Sequence, residues 1–133
     1  MHRLGRSLAA LTLASAPAHA EDLIEVPSGQ AVTYVDTVNT APGPEGFTIR
    51  FRFLAPAIAR DGGTVSAEDA LADMAFLCDT YALPRIANPG PQPEQVIISL
   101  SDRPVPFGEA DPEATQFFEA FRPVDGICVW EAF

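Results

Sequence analysis

A strict alternation of side-chain character between residues 47 and 53 constrains the fold more than any other feature. Large apolar side chains occupy every second position, and polar or charged side chains lie between them. The apolar set is Phe47, Ile49, Phe51 and Phe53, and the polar set is Thr48, Arg50 and Arg52. Successive side chains of a β-strand point to opposite faces of the sheet, so this segment predicts a strand with an aromatic face and an arginine face. A similar alternation from Val96 to Leu100 predicts a second such strand.

Between these two strands the sequence predicts one main helix. Ser66 is a suitable N-cap residue, and Asp69 follows three positions later, as in a capping box. Four side chains then share one helical face, because their spacings are three, four and three residues. They are Leu71, Met74, Cys78 and Tyr81. Pro84 ends the helix, and Cys78 is predicted to point toward the core.

The segments around these elements contain one further strand region and three loops. Residues 21–36 predict a strand or hairpin, because Pro, Ser and Gly at positions 27–29 supply turn chemistry between apolar residues. Proline and glycine concentrate in three other segments, which predict surface loops. These loops are residues 39–46, 88–94 and 102–108.

The last part of the chain fits two different structures. Its Asp-Pro-Glu run is a strong helix start, and apolar residues follow at helical spacing. A later Asp-Gly pair is instead typical of a tight turn, and the residues after it are β-branched or aromatic. We favour a hairpin in which residues 116–122 are a strand and Phe121 lies opposite Trp130. Glu119 then shares the face of Phe121 and needs a polar partner.

Cys78 and Cys128 are the only two cysteines in the sequence. In an oxidising compartment an even count predicts a disulfide, and both residues are predicted to face the same core. A redox-active pair usually has Cys-x-x-Cys spacing, which this chain lacks. Together these patterns predict an α+β fold. It comprises a small antiparallel sheet of four to six strands, one main helix packed on the aromatic face, and one disulfide.

The first twenty residues have the features of a signal peptide. Arg3 and Arg6 form a positive region, an apolar stretch follows over residues 7–16, and a small-x-small motif ends at Ala20. A buried N-terminal helix of a cytosolic protein is the alternative, but it does not explain the Ala-Pro-Ala-His-Ala ending. We therefore expect cleavage near Ala20, a single domain over residues 21–133, and a periplasmic or secreted location. No later apolar run is long enough to span a membrane.

Cleavage would narrow the chemistry available to the protein. The chain has eight basic residues, all of them arginine, and both histidines precede residue 21. The mature chain would lack imidazole and lysine, which excludes Ser-His-Asp, Cys-His and Schiff-base catalysis and histidine-based zinc sites. Six arginines would remain against eighteen acidic residues, a formal charge of −12. Such a charge disfavours nucleic acid and anionic membrane surfaces as partners.

Two groups of residues are candidate sites. Four carboxylates near the helix start could supply oxygen ligands to calcium, although they also complement the helix dipole and do not match an EF-hand. They are Asp61, Glu68, Asp69 and Asp73. The second group comprises the candidate ligand or partner contacts Arg50, Arg52, Arg103 and Phe107.

Each member of the second group also has a plainer interpretation. The strand arginines could clamp a carboxylate of a ligand or pair with surface acids of the protein itself. The proline-flanked loop that carries Arg103 and Phe107 could present a fixed contact surface or simply bridge two elements.

Four runs of this sequence form a distinctive set. They are Phe51-Arg52-Phe53 with residues 55–65, residues 98–108, residues 115–121, and Cys128-x-Trp130-Glu131. Together they resemble an uncharacterised family of small exported proteins from Rhodobacter-type alphaproteobacteria. The resemblance covers most of the chain after residue 20 and implies a compartment and a lineage, but no activity.

From the residues themselves we expect a non-enzymatic binding or accessory module. It would need no cofactor, and its partner, if it has one, would be a periplasmic protein. The alternative is a small carboxylate- or arginine-based enzyme or a calcium-binding domain.

Overall fold

The structure is a computed structural model that describes residues 22–43 and 46–132, together with residues 5, 9 and 10. Six strands form one sheet, and their order in the sheet follows their order in the chain. The strands are β1 (Leu23–Ile24), β2 (Val32–Gly43), β3 (Gly46–Leu54), β4 (Gln95–Ser101), β5 (Gln116–Val124) and β6 (Ile127–Glu131). Neighbouring strands are antiparallel except β3 and β4, which are parallel.

One main helix, α1 (Ala67–Leu77), lies in the connection between β3 and β4. A π-helical turn (Cys78–Ala82) and a 3-10 turn (Leu83–Arg85) extend it, and a short 3-10 turn (Pro56–Ile58) precedes it. The predicted N-cap is confirmed, because the Ser66 hydroxyl accepts a hydrogen bond at 3.1 Å from the backbone N–H three residues later.

The parallel pair differs from the antiparallel sheet that the sequence predicts. Parallel neighbours need a crossover connection, and α1 with its flanking turns supplies one here. The alternating patterns of the two strands define their faces but carry no information about their relative direction. The α+β class, the six strands, the single main helix and the disulfide are confirmed.

The face of the sheet toward α1 contains the core. Residues paired across neighbouring strands lie on one face, and the pairs Phe51–Ile98 and Phe53–Leu100 are almost fully buried. Tyr81, from the turn that extends α1, packs edge-on against Phe53 with ring centroids 5.3 Å apart. The helix therefore packs on the aromatic face, as the sequence predicts.

The opposite face of the sheet, which we call the open face, carries the strand arginines. Its members include Asp36, Val38, Arg50, Arg52, Ile97, Ser99, Phe118, Ala120, Arg122, Val124, Ile127, Val129 and Glu131. Ile97 and Ala120 are buried although α1 lies on the other side of the sheet. Longer side chains of the same face therefore cover the centre of the open face.

The C-terminal segment forms the predicted hairpin of β5 and β6. Asp125 and Gly126 form its turn with φ angles of 50° and 81°, a combination that favours Asp-Gly. Phe121 lies opposite Trp130, as predicted. Glu119 receives a hydrogen bond from the Trp130 indole N–H at 2.9 Å, so the polar partner that this hairpin requires is present.

The predicted disulfide joins Cys78, just after α1, to Cys128 of β6. Cys78 is fully buried, and Cys128 is partly buried against the core. The backbone N–H of Cys128 donates to the Asp79 carboxylate at 2.7 Å, so the edge strand is attached to the helical segment twice.

The N-terminal segment is fastened to the helix by a buried carboxylate. Asp73 of α1 is fully buried and accepts hydrogen bonds from the Ser28 backbone N–H (2.9 Å), the Ser28 hydroxyl (2.5 Å) and the Gln30 side-chain amide (2.7 Å). These contacts hold the turn between β1 and β2, which form the hairpin expected within residues 21–36.

Two predictions about the sequence before β3 have different outcomes. The loop predicted at residues 39–46 is mostly a continuation of a long hairpin, since β2 extends to Gly43 and pairs with Gly46. Residues 44–45 lie outside the described residues, as does the predicted signal peptide apart from residues 5, 9 and 10. Within the described residues, no helix combines the length and apolarity needed to cross a membrane.

Candidate functional site

Arg52 connects two strands of the open face to the loop after β4. Its Nη1 donates to Asp36 Oδ2 on β2 at 2.7 Å, and its Nη2 donates to the backbone carbonyl of Val105. Only 14% of the Arg52 side chain is exposed. Arg52 therefore pairs with an acid of the protein itself, as the plainer of the two interpretations describes.

The loop between β4 and β5 is closed at its base. Asp102 and Thr115 are joined by two hydrogen bonds, one from the Asp102 N–H to the Thr115 carbonyl (3.0 Å) and one from the Thr115 N–H to Asp102 Oδ1 (2.8 Å). Further along the loop, the Phe107 ring lies 5.7 Å from the guanidinium carbons of both Arg50 and Arg52. The loop thus holds an aromatic ring against the arginine pair.

Arg50 has a different environment from Arg52. Its guanidinium carbon lies 5.7 Å from the centre of the Phe107 ring and 5.6 Å from that of Phe118, distances typical of cation–π contacts. None of the ion pairs among the described residues involves Arg50, and its Nε is buried without a hydrogen-bond partner. Burial lowers the pKa of Arg50, and the positive charge of Arg52 lowers it further.

Among the described residues, Arg50 combines the lack of an ion pair with a partly buried side chain and a buried Nε that has no hydrogen-bond partner. Arginine remains protonated in proteins, so a half-buried guanidinium favours the approach of an anion. A carboxylate can pair with the guanidinium through two parallel hydrogen bonds. The geometry around Arg50 therefore suits an anionic group that is supplied from outside the described residues.

A groove lies beside this arginine, with a volume of about 470 Å³. Arg52, Arg103 and Phe107 line it together with Val35 and Ser99. Arg103 is more exposed than Arg52 and pairs with Asp102 at 3.2 Å. The four contact residues predicted from the sequence thus meet on one side of the molecule, three of them in the groove and Arg50 against Phe107.

Comparison with known protein families matches residues 8–133 to a family described as a family of unknown function (DUF6497). The chain belongs to this family. Searches of curated proteins and of solved structures found no match. Membership in DUF6497 therefore brings no activity with it, and a function has to be argued from the site.

Arg50 of this DUF6497 member also contacts Phe118, which is not one of the four contact residues predicted from the sequence. Phe118 forms the second ring beside Arg50 and is half exposed. Its position on the open face follows from the hairpin, because Phe118 alternates with Phe117 and Glu119 along β5. The alternation identifies Phe118 only if the segment is a strand, and the helical alternative for the same segment left that open.

The carboxylates considered for calcium binding are not grouped in this DUF6497 structure. Asp73 is fully buried and its oxygens accept hydrogen bonds from Ser28 and Gln30, whereas Asp61, Glu68 and Asp69 are exposed. Among the described ranges, no cluster of three or more His, Cys, Asp or Glu residues is suited to a metal ion. The calcium alternative thus lacks a ligand set in the described part of the chain.

Replacing Arg52 with methionine is expected to loosen the loop while leaving the sheet folded. The variant loses the ion pair with Asp36 and the hydrogen bond to the Val105 carbonyl. We expect a loss of about 1–2 kcal/mol in the free energy of unfolding. Hydrogen exchange at the amide of Glu109, which donates to the Pro106 carbonyl within this loop, should become faster, whereas the amides of β4 should be little affected. Unchanged exchange in the loop would contradict the positioning role of Arg52.

Asp102 predicts a specific pH dependence of stability. Burial raises the pKa of Asp102, but the hydrogen bond from the Thr115 N–H and the interactions with Arg103 outweigh it, so the net pKa lies below its usual value. A depressed folded-state pKa gives a stability contribution that is present above the unfolded pKa of about 3.9 and lost as the pH falls further. Urea unfolding of wild type and Asp102→Asn should show a stability difference that narrows from about pH 6 to about pH 2.5. A constant difference would show that the charge of Asp102 has no such role.

Proposed function

We propose that this protein is an exported, non-enzymatic binding module. Its mature domain would be residues 21–133, and its binding surface would be the part of the open face around Arg50, Phe107 and Phe118. The signal-peptide features of the first twenty residues support export. The disulfide supports it too, because such bonds persist mainly in oxidising compartments.

One observation carries the binding proposal, namely that Arg50 lies beside two phenyl rings and has no acidic partner within residues 22–43 and 46–132. A protein gains little stability from half-burying a cation without a counterion, so this arrangement suggests selection for something other than folding. A ligand carboxylate would supply the missing charge, and the rings would contact the apolar part of the ligand.

The groups around Arg50 support binding rather than catalysis. The surface offers guanidinium groups, phenyl rings, the hydroxyls of Ser99 and Ser101, and the Asp36 carboxylate, which accepts a hydrogen bond from Arg52. Arginine stays protonated near neutral pH, and the sequence after residue 20 has no histidine or lysine that could activate a serine. Apart from the carboxylate that Arg52 already pairs with, these groups recognise charge and shape without a means to transfer a proton.

The binding proposal is tested by thermal unfolding with a simple probe, 3-phenylpropionate, and its neutral amide as a matched control. At ten times its Kd, a ligand stabilises the native state by about 1.4 kcal/mol. For a domain of this size, that corresponds to an increase in Tm of roughly 6–10 °C. We expect the increase with the acid and not with the amide, and we expect it to be absent in Arg50→Met. Equal shifts with both probes, or no shift with either, would refute the proposal.

Arg50→Met should leave the free protein at least as stable as wild type. Methionine retains the contacts with Phe107 and Phe118 and removes the burial of an unpaired charge. We expect the free energy of unfolding to be unchanged or up to about 1 kcal/mol higher. Urea denaturation measures this directly. A loss of more than about 2 kcal/mol would instead mark Arg50 as a structural residue.

Export is tested separately, by mass spectrometry of the protein isolated from cells that express the full chain. We expect a polypeptide that begins near residue 21 and has no free thiols. An intact leader together with two free thiols would exclude export.

A further inference from the structure

We propose that the occupant of the open face is a segment of another protein that presents one acidic side chain beside apolar ones. This inference rests on the proposed function and adds the class of the ligand. The acidic side chain would pair with Arg50, and the apolar ones would lie along the β5–β6 hairpin.

The first argument is the length of the exposed apolar surface. At one end of the open face, Phe107 and Phe118 are 51% and 50% exposed. At the other end, Val124, Ile127 and Val129 are between 40% and 57% exposed. The two ends share a face of the same sheet, and large apolar side chains exposed along one surface typically mark interaction sites.

The second argument is the distribution of charge between these two ends. Arg122 pairs with Glu131 at 2.6 Å, and Arg52 pairs with Asp36 at 2.7 Å. In the ranges that the structure describes, Arg50 is the open-face arginine without an acidic partner. A complementary surface therefore needs one negative charge at Arg50 and apolar groups elsewhere.

The third argument is that the surface is too open for a small ligand alone. Small-molecule sites enclose roughly 70–90% of their ligand, whereas the rings on both sides of Arg50 remain half exposed. Exposed aromatic side chains and arginine are the residues enriched at the energetic centres of protein interfaces. The hydrogen bond from Arg52 to the Val105 carbonyl also ties the loop beside Phe107 to the sheet before any partner arrives.

The geometry sets a spacing for the partner. Arg50 lies on β3 in a row that ends at Glu131 of β6, and Val129 lies two residues from Glu131 along that strand. Three inter-strand spacings and two residues of strand therefore separate Arg50 from Val129, about 16 Å in total. An extended chain spans this distance in about five residues, so the acidic side chain and the far apolar side chain of the partner should be about five residues apart.

The test is affinity selection from a random library of displayed peptides of about twelve residues, long enough to span the face. The folded mature domain is the target. Two variants are used in parallel selections: Arg50→Met, and the double variant Ile127→Ser with Val129→Ser, whose side chains are exposed and can be replaced without opening the core. Leu23→Ser, a half-exposed residue at the other edge of the sheet, is the matched control.

We expect enrichment of peptides with one Asp or Glu about five residues from an apolar residue. Their affinity should fall by about tenfold or more on each of the first two targets, and Leu23→Ser should bind them as wild type does. Peptides that lose affinity only on Arg50→Met would overturn the inference in favour of a short acidic ligand. No enriched peptide, together with a 3-phenylpropionate shift, would also overturn it while the proposed function stands. Failure of both probes would refute both proposals.

Discussion

A variant with both cysteines replaced by alanine should unfold with a free energy about 4 kcal/mol lower than that of wild type. The bridge between Cys78 and Cys128 spans a sequence separation of 50 residues. A loop of this length loses substantial conformational entropy in the unfolded chain when it is closed, and the loss corresponds to roughly 4 kcal/mol. Small domains have total stabilities of about 5–15 kcal/mol, so the change is a large part of the whole.

The bridge also attaches the edge strand β6 to the helical segment. Its loss should speed hydrogen exchange most in β6, where the N–H of Cys128 also depends on Asp79. Urea denaturation of the variant, and of wild type with and without reductant, measures the effect. Reduced wild type should match the double variant, which controls for the two lost sulfur atoms. A difference below about 1 kcal/mol would contradict a stabilising bridge.

Replacing Asp73 with alanine is the second large change, with an expected loss of about 3 kcal/mol in the free energy of unfolding. The carboxylate accepts three hydrogen bonds, two from Ser28 and one from Gln30, and alanine leaves these donors without their acceptor. Gln30 is itself buried, so its amide cannot simply turn to water. The turn between β1 and β2 should detach from α1 before the rest of the domain unfolds.

Urea denaturation gives the size of the loss, and hydrogen exchange at Ser28 and Gln30 shows where it occurs. Asp69→Asn is the matched control, because Asp69 lies on the same helix with an exposed side chain and its backbone N–H remains to bond Ser66. We expect the control to change stability by less than about 1 kcal/mol. Equal losses in the two variants would refute a specific role for Asp73.

The sheet faces and the hairpin could be predicted from local patterns. The alternation in β3 separates Phe51 from Arg50 regardless of what surrounds them, because the period of a strand is two. The Asp-Gly pair at 125–126 likewise specifies a tight turn from its own backbone preferences. Features that depend only on neighbouring residues in the chain can therefore be predicted from the sequence.

Features that depend on contacts between residues far apart in the chain cannot be predicted from local patterns. The direction of β4 relative to β3 is set by how the connection through α1 packs, which the alternation does not encode. Asp73 resembles other helix carboxylates in the sequence and is distinguished by its partners Ser28 and Gln30, which lie 45 and 43 residues away. Such pairings require the tertiary structure.

The difference in pairing between Arg50 and Arg52 also depends on residues that are distant in the sequence. Arg50 and Arg52 are equivalent in the sequence pattern, yet Arg52 alone lies opposite Asp36. An irregularity of β2 between Tyr34 and Asp36 sets this register. Arg50 is paired with Val38 instead, so its neighbour on β2 is apolar. A local bulge on the adjacent strand thus decides which of the two arginines pairs with Asp36.

The most direct test of the central claim observes the Nε–H group of Arg50 by NMR during a titration with 3-phenylpropionate. The Arg50 signal is assigned by its absence in Arg50→Met. We expect it to move in a saturable way with a Kd of about a millimolar, as befits a small ligand, while the signal of Arg52 changes little. The neutral amide should leave the Arg50 signal unmoved. An Arg50 signal that ignores the acid, or that responds equally to the amide, would contradict the account.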